Sequence, residues 1–403
     1  MTTAPAHSYL PARRRTRRAI AGMLEATGAA QRRLFDEASE VRDTFFGRTA
    51  VVRGVIEITD VCVKSCLYCP MRVENRYQRY FQRSDDILQA TDAIRQAGLG
   101  VVALQGGETP ASTTLATRLI PAIRQAFDDD VEVLLCLGDK SRADLERLKR
   151  AGADSYILKQ ETADPELHLT MRAVPLSSRL GCAHDLVALG FRTGMGAIVG
   201  LPGQGTASLI EDVLLPGRIG AQMMSASPFI PAANSPLSGA LMGDLGLTLN
   251  MLAVMRLLHP SALIPAVSAL EKPEPGGQVL GFAAGANVIT INFTPEENRQ
   301  KYAIYGSDRF VVRREHALGT LRKAGIEPLF GRDALASMTC GSTQGVPRER
   351  GPQSMGVGSI PLKFCGSDGQ VRFERASKGP SFRQRGCSAD AGANLRRIRD
   401  GRD

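Results

Sequence analysis

The chain of 403 residues is 43% hydrophobic and carries 50 Lys and Arg against 41 Asp and Glu, a formal net charge of +9. A chain this long buries a large core, as one extended domain or two ordinary ones, so its eight Cys are not the staples of a small disulfide scaffold. The absence of Trp and an aromatic content of 5% argue against stacking surfaces for nucleic acid, and no apolar run approaches the roughly 20 residues that span a bilayer.

Residues 1–50 predict a helical extension, with Leu24, Leu34 and Phe35 as apolar points in a charged, Ala-rich stretch. Arg13, Arg14, Arg15, Arg17 and Arg18 cluster there with no acid among them. Such a run attracts polyanions, but a solvated helix face accounts for it, and neither nucleic acid nor membrane is an expected partner. The start lacks the apolar segment of a secretory leader, so a cytoplasmic location is expected.

From residue 51 short β-rich runs alternate with longer amphipathic ones. The predicted strands are Gly54–Ile58, Val101–Gln105, Val131–Leu137, Ser155–Lys159, Arg192–Val199, Gln222–Ala226, Leu263–Val267 and Asn287–Asn292. The predicted helices include Ser84–Gln96, Leu115–Phe127, Arg142–Arg150, Ser177–Leu189, Ala207–Leu214 and Thr248–Leu258. Such alternation implies a parallel sheet, and about eight units predict a (β/α)8 TIM-type barrel over 51–330. An open doubly wound sheet is the alternative from periodicity alone. Residues 331–403, rich in Gly, Ser and Arg, predict a basic and poorly ordered tail.

In a barrel the working groups stand at the C-terminal ends of the strands. The unusual residues of this chain fall there. Cys62, Cys66 and Cys69 follow the first strand as CxxxCxxC. Gly106, Gly107 and Glu108 follow the second, Lys159 to Thr162 the fourth, and Gly200 to Gln204 the fifth. Thiolates ligate iron–sulfur clusters, and three of them leave one iron of a 4Fe–4S cluster open to a further ligand. Zinc is the competing reading, but it takes four ligands in two separated pairs, and the nearest His beyond the triplet is His168. The two glycines allow close backbone approach to a ligand, or merely a turn. Gly196 and Gly200 make room at the rim or serve helix packing. Glu161 and Arg179 are binding groups or an ordinary ion pair. Cys136 and Cys182 read as small core residues. Cys340, Cys365 and Cys387 match no compact metal motif.

Taken together these segments resemble the radical S-adenosylmethionine (radical SAM) superfamily. Arg53-Gly-Val-Ile-Glu-Ile-Thr-Asp60, the three Cys with Tyr68, Leu104-Gln-Gly-Gly-Glu-Thr-Pro110, Gly196-Ala-Ile-Val-Gly-Leu-Pro-Gly-Gln204 and Asn292-Phe-Thr-Pro295 are similar to its biotin-synthase-like branch. Within that branch the likeness is greatest to the iron-only hydrogenase maturase and methylornithine synthase families. The resemblance covers about residues 20–330. It implies a 4Fe–4S cluster and S-adenosylmethionine (SAM) as cofactors, the latter contacted by Tyr68, Gly106, Gly107, Glu108, Glu161, Arg179, Gly196 and Gly200. It implies a small, amino-acid-like substrate beside Lys159, Ser268 and Tyr305, and a reductant protein such as flavodoxin or ferredoxin. It further implies reductive SAM cleavage and hydrogen abstraction, with mutase-type chemistry favoured over maturation. Where the maturases show Arg and a Thr pair, this chain has Lys159 and Val267–Ser268, which points to a different substrate. Met195 stands where a biotin synthase has Cys, so sulfur insertion is not expected.

Overall fold

The computed structural model describes residues 15–306 and 309–340. Helices α1 (Arg17–Leu24) and α2 (Gly28–Phe46) lead into β1 (Thr49–Thr59). There follow α3 (Ser84–Gln96), β2 (Val101–Gly106), α4 (Pro110–Ala126), β3 (Glu132–Cys136), α5 (Arg142–Ala151) and β4 (Ser155–Ile157). Next come α6 (Pro165–Arg172), α7 (Leu176–Ala188), β5 (Arg192–Val199), α8 (Thr206–Ile219), β6 (Met223–Pro228) and α9 (Leu245–Leu258). The last elements are α10 (Gly277–Ala283), β7 (Val288–Asn292), α11 (Glu296–Arg299), α12 (Arg314–Ala324), β8 (Glu327–Leu329) and α13 (Gly331–Cys340).

All ladders are parallel, in the order β6-β5-β4-β3-β2-β1-β7. The ring closes through the stretch around Leu263–Pro265. Leu263 bridges Met223 of β6, and Pro265 bridges Val288 of β7. The sequence predicts a regular strand at Leu263–Val267; the structure has only these isolated bridges. Pro265 has no N–H to donate, so a continuous ladder cannot form across it. The architecture is the TIM-type (β/α)8 barrel.

Strand alternation divides the interior from the outer layer. On β1, Val51, Arg53, Val55 and Glu57 face inward, whereas Val52, Ile56 and Ile58 join the large core under the helices. Gly54 is required on that outer side, because a Cβ there would lie 2.7 Å from Ile94 of α3. On β2 and β3 the inward set is Val101, Ala103, Gln105, Leu134 and Cys136. The deepest of these form an apolar plug with Val288 and Leu263, and Ala334 of α13 is wholly buried against it. β8 pairs with Thr49–Val51 at the start of β1. The tail expected from residue 331 therefore begins as a helix; residues 341–403, with Cys365 and Cys387, lie outside the described residues.

The N-terminal helices dock on α9. Asn250 Nδ2 donates to the carbonyls of Leu24 (2.8 Å) and Ala26 (2.9 Å), and Gln31 Nε2 donates to Asn250 Oδ1 (2.9 Å). Arg256, fully buried on α9, donates to the carbonyls of Gly285, Pro260 and Ala262 and to Asn287 Oδ1. Four acceptors replace the water this guanidinium gives up. No described helix is long and apolar enough to cross a membrane.

Candidate active site

A cavity of about 320 Å³ fills the barrel above the plug. That size suits a small ligand. At its mouth stand Cys62, Cys66, Cys69, Tyr68 and the turn Gly106–Gly107–Glu108. Gly107 is needed for close approach, since a Cβ there would lie 2.1 Å from the Val61 carbonyl oxygen. Burial pushes the Cys66 thiol up and the Cys69 thiol up to about 12. Both are therefore protonated at neutral pH, and a metal centre held there would have to displace those protons.

Beside the thiols lies a dense charge cluster. Lys64 Nζ is 2.9 Å from Glu108 Oε1, and Arg172 Nη2 is 3.5 Å from Glu108 Oε2 and 3.6 Å from Asp139 Oδ2. Arg179 Nε is 3.2 Å from Asp139 Oδ1, and Lys159 Nζ is 3.3 Å from Glu161 Oε2. Burial opposes the charge on Lys159, but the Glu161 carboxylate overrides it and holds the amine protonated. Several of these ion pairs lack hydrogen-bond alignment. Asp139 Oδ1, Glu161 Oε2, Arg172 Nε and Nη2, and Arg179 Nε are buried with no hydrogen-bond partner. Glu161, Arg172 and Arg179 line the cavity, with Asp139 set against the two guanidinium groups, and unsatisfied groups of both signs there fit a zwitterion bearing both an ammonium and a carboxylate.

Glu161 holds a backbone φ of +66°, rare for a residue with a side chain, which costs about 1–3 kcal/mol. Its surroundings compensate. Its N–H donates to the Gly196 carbonyl (3.0 Å), and its own carbonyl accepts from Ile198 N–H (2.8 Å). Neighbouring Gln160 accepts from Gly196 N–H (2.9 Å) and donates to Asp212 Oδ1 (3.2 Å). Asp212 also accepts from Ala163 N–H (2.6 Å) and Gln204 Nε2 (3.3 Å), while burial pushes its carboxyl up to about 8. Asp212→Ala strands these donors, so the expected result is a loss of about 2–4 kcal/mol in chemical denaturation. A loss under about 1 kcal/mol would show that water replaces the carboxylate.

Deeper in the barrel, Glu57 accepts a bidentate pair from Arg309 (2.8 and 2.7 Å) and a bond from Thr294 Oγ1 (3.1 Å). The Arg309 guanidinium lies over the Tyr302 ring at 5.4 Å. Arg53 differs. Its Nε donates to Thr290 Oγ1 (2.6 Å), and no carboxylate pairs with it among the described residues. Burial lowers its pKa to about 10, so it remains a cation at neutral pH. Ser268 and Tyr305 line the same cavity, Tyr305 with a φ of +64°.

Against this geometry, the chain matches the radical SAM superfamily over residues 56–215. It is 37% identical over 286 residues to the [FeFe] hydrogenase maturase subunit HydE of Thermotoga maritima, covering 70% of this chain and 82% of that protein. The chain belongs to the radical SAM superfamily. It is also 26% identical over 311 residues to 3-methylornithine synthase of Methanosarcina barkeri, covering 74% of this chain and 88% of the relative. The crystal structure of methylornithine synthase shares the fold, with a TM-score of 0.70 at 24% identity over 80% of this chain and 96% of that one. This radical SAM enzyme uses a 4Fe–4S cluster and SAM. Enzymes of the superfamily act on small molecules and need a reductant. The three thiols at the mouth and the unsatisfied ionic groups beside them fit that cofactor pair.

Two expected binding residues of the radical SAM enzyme fall outside the cavity lining. A Cβ on Gly196 would lie 2.1 Å from Ser225 Oγ, so this glycine serves strand packing and the Glu161 turn. Gly200 has a φ of +89° and would meet the Gly243 Cα at 2.6 Å, so it serves a loop contact. Cys136 is corrected the other way. It lines the cavity, and alternation from Leu134 carried that signal. Cys136→Ala is expected to leave iron at about four atoms per chain after anaerobic reconstitution. A lower iron content would assign Cys136 to a second cluster and revive sulfur insertion. Lys64, Asp139, Arg172 and Arg309 were not singled out from the sequence. Lys64 and Asp139 follow β1 and β3, where strand-end position was the available cue. Arg172 and Arg309 had none.

Proposed function

We propose that Cys62, Cys66 and Cys69 hold the cluster with one iron open. We propose also that Tyr68, Gly106, Gly107, Glu108, Glu161 and Arg179 receive SAM, and that Lys159, Ser268 and Tyr305 face the substrate. When bound, the cofactor pair supplies an electron and a 5′-deoxyadenosyl radical that abstracts hydrogen. The protein's own part is to orient and to shield. Arg172 and Arg179, held from behind by Asp139, offer positive charge to the carboxylate of SAM, and Glu161 offers an acceptor to its ammonium. The barrel wall keeps water from the reacting carbon.

The substrate on this reading is a small, amino-acid-like carboxylate that undergoes rearrangement or fragmentation. Arg53 carries the inference: a half-buried guanidinium lining a cavity of small-molecule size, with no anion beside it among the described residues, calls for a ligand that brings one. An anaerobic panel of amino acids, scored by 5′-deoxyadenosine release, tests it. The true substrate should lose affinity about 10- to 100-fold in Arg53→Met, the worth of a charge-assisted hydrogen bond. Equal turnover of its carboxamide would contradict the reading. The 37% identity to HydE favours a second reading, that the chain is itself a hydrogenase maturase subunit. Restored hydrogenase activity in cells lacking HydE would select it. The electron is delivered by flavodoxin or ferredoxin, in the cytoplasm, where thiols stay reduced.

A further inference from the structure

A carbon radical formed in the cavity has to be ended, and one side chain is placed to end it. Beyond the triplet at the mouth, Cys136 is the only thiol lining the cavity among the described residues. It is free and partly exposed. It closes β3, where it stands in register with Gln105 of β2, and Gln105 with Glu57 of β1. Gly106 and Gly107 of the mouth follow Gln105 directly, whereas Arg53 lies four positions before Glu57. Cys136 is thus held between the mouth and the deep guanidinium. The charges of Lys159, Glu161, Arg53 and Arg179 all reach it, and burial pushes its thiol up, so the proton stays on sulfur at neutral pH.

Glu161 and Arg179 open on the same cavity. They are 8% and 3% exposed, and Glu161 Oε2 and Arg179 Nε have no hydrogen-bond partner. Buried groups left in this way call for the polar groups of a ligand at the mouth, as Arg53 calls for an anion deeper in. The wall between is largely apolar. Leu134, Ala103 in register with it, Ile157 of β4 and Met195 of β5 line it, and none of the four bears a hydrogen that exchanges with water. Tyr302 does, but it is 1% exposed, its ring lies under the Arg309 guanidinium, and its hydroxyl accepts from Gln105 Nε2 (3.2 Å).

We propose that Cys136 is the hydrogen-atom donor to carbon radicals formed in this cavity. The inference rests on the cluster, SAM and substrate assignments above. An S–H bond is weaker than an aliphatic C–H bond, so transfer to an alkyl radical held against the thiol runs downhill. The rearranged or fragmented radical gains a C–H bond, the S–H bond breaks, and a thiyl radical is left. One electron from the reductant and one proton from water restore the thiol. Each turnover then takes up two electrons and one SAM, which leaves as methionine and 5′-deoxyadenosine, and the product keeps one hydrogen of solvent origin.

The test uses the cluster-loaded full chain in D2O with SAM and dithionite, without and with the amino-acid panel. Without an amino acid the 5′-deoxyadenosyl radical itself meets the exchanged S–D bond, so the 5′-deoxyadenosine should carry one deuterium. That deuterium should fall about tenfold in Cys136→Ala, and equally in Cys136→Ser, whose O–H bond is too strong to give up its hydrogen. With an amino acid that turns over, the product should carry the deuterium, and one SAM should be consumed for each product formed. Both variants should then yield about tenfold less product per 5′-deoxyadenosine. Equal deuterium in the variants and the unaltered protein overturns the assignment, as does its loss in Tyr302→Phe or Tyr305→Phe alone. An unlabelled product with SAM recovered also overturns it, since hydrogen then returns from 5′-deoxyadenosine. Each of these results leaves the cluster reading standing. Should no amino acid turn over, the substrate reading fails and the first comparison decides the donor by itself. No 5′-deoxyadenosine from any of these proteins sinks the cluster reading and the donor together.

Discussion

The combined substitution Cys62→Ala, Cys66→Ala and Cys69→Ala should yield a folded protein that takes up no cluster iron and releases no 5′-deoxyadenosine. The three thiols stand on one loop at the cavity mouth, outside the main hydrophobic core and outside every strand and helix. Cys66 is buried, and Cys62 and Cys69 pack only against the small cluster of Met71, Tyr80 and Tyr302, so the loss of three sulfur atoms should leave the barrel intact in circular dichroism. What disappears is the anchor. About four irons per chain should fall to none, and the visible chromophore with them. Any one of the three single variants should lose nearly as much activity, because the thiols act as a unit. Retained iron together with turnover in the triple variant would place the cluster elsewhere.

A second large effect is expected in stability. Arg309 and Glu57 are both almost wholly buried, with side chains 6% and 3% exposed, and each satisfies the other. Removing one partner leaves an unpaired buried charge, so Arg309→Met should cost about 3–5 kcal/mol in denaturant unfolding. The pH dependence follows from Glu57. Burial already pushes its pKa up, against the opposing pull of Arg309, Asn292 and Thr294. Without Arg309 the rise is larger. A carboxyl whose folded pKa is raised binds more protons folded than unfolded, so stability is lost as pH rises from the unfolded carboxyl range toward the folded pKa. The Arg309→Met deficit should therefore shrink in acid and grow toward neutrality. The double variant Glu57→Gln with Arg309→Met should recover much of the loss. A deficit independent of pH would mean that Glu57 has found water.

Much of the barrel was legible in the sequence because each signal is local. CxxxCxxC and Gly-Gly-Glu are contiguous, and the strands are short apolar runs separated by amphipathic helices. The ionic lining was legible only in part. Arg309 reaches Glu57 across 252 positions, and neither residue carries a motif that names the other. Arg172 sits at the end of α6, where a basic residue reads as an ordinary partner for the helix dipole; only the fold aims it at Glu108 and Asp139. Gly196 and Gly200 were ambiguous for another reason. Glycine marks close approach without saying to what, and here a side chain would meet Ser225 and Gly243. At Leu263–Val267 the apolar run was right, but one proline turned a ladder into two bridges. Arg53 was visible as a letter, but the lack of a counter-charge beside it among the described residues shows only once the inward faces are assembled.

Low-temperature electron paramagnetic resonance of the reduced, cluster-loaded protein, recorded with and without SAM, tests the account most directly. An iron left free by the loop at Cys62–Cys69 should take the amino and carboxylate groups of SAM and change the spectrum. An identical signal at saturating SAM would mean that all four irons are already ligated by protein, and that the cavity mouth serves some other purpose.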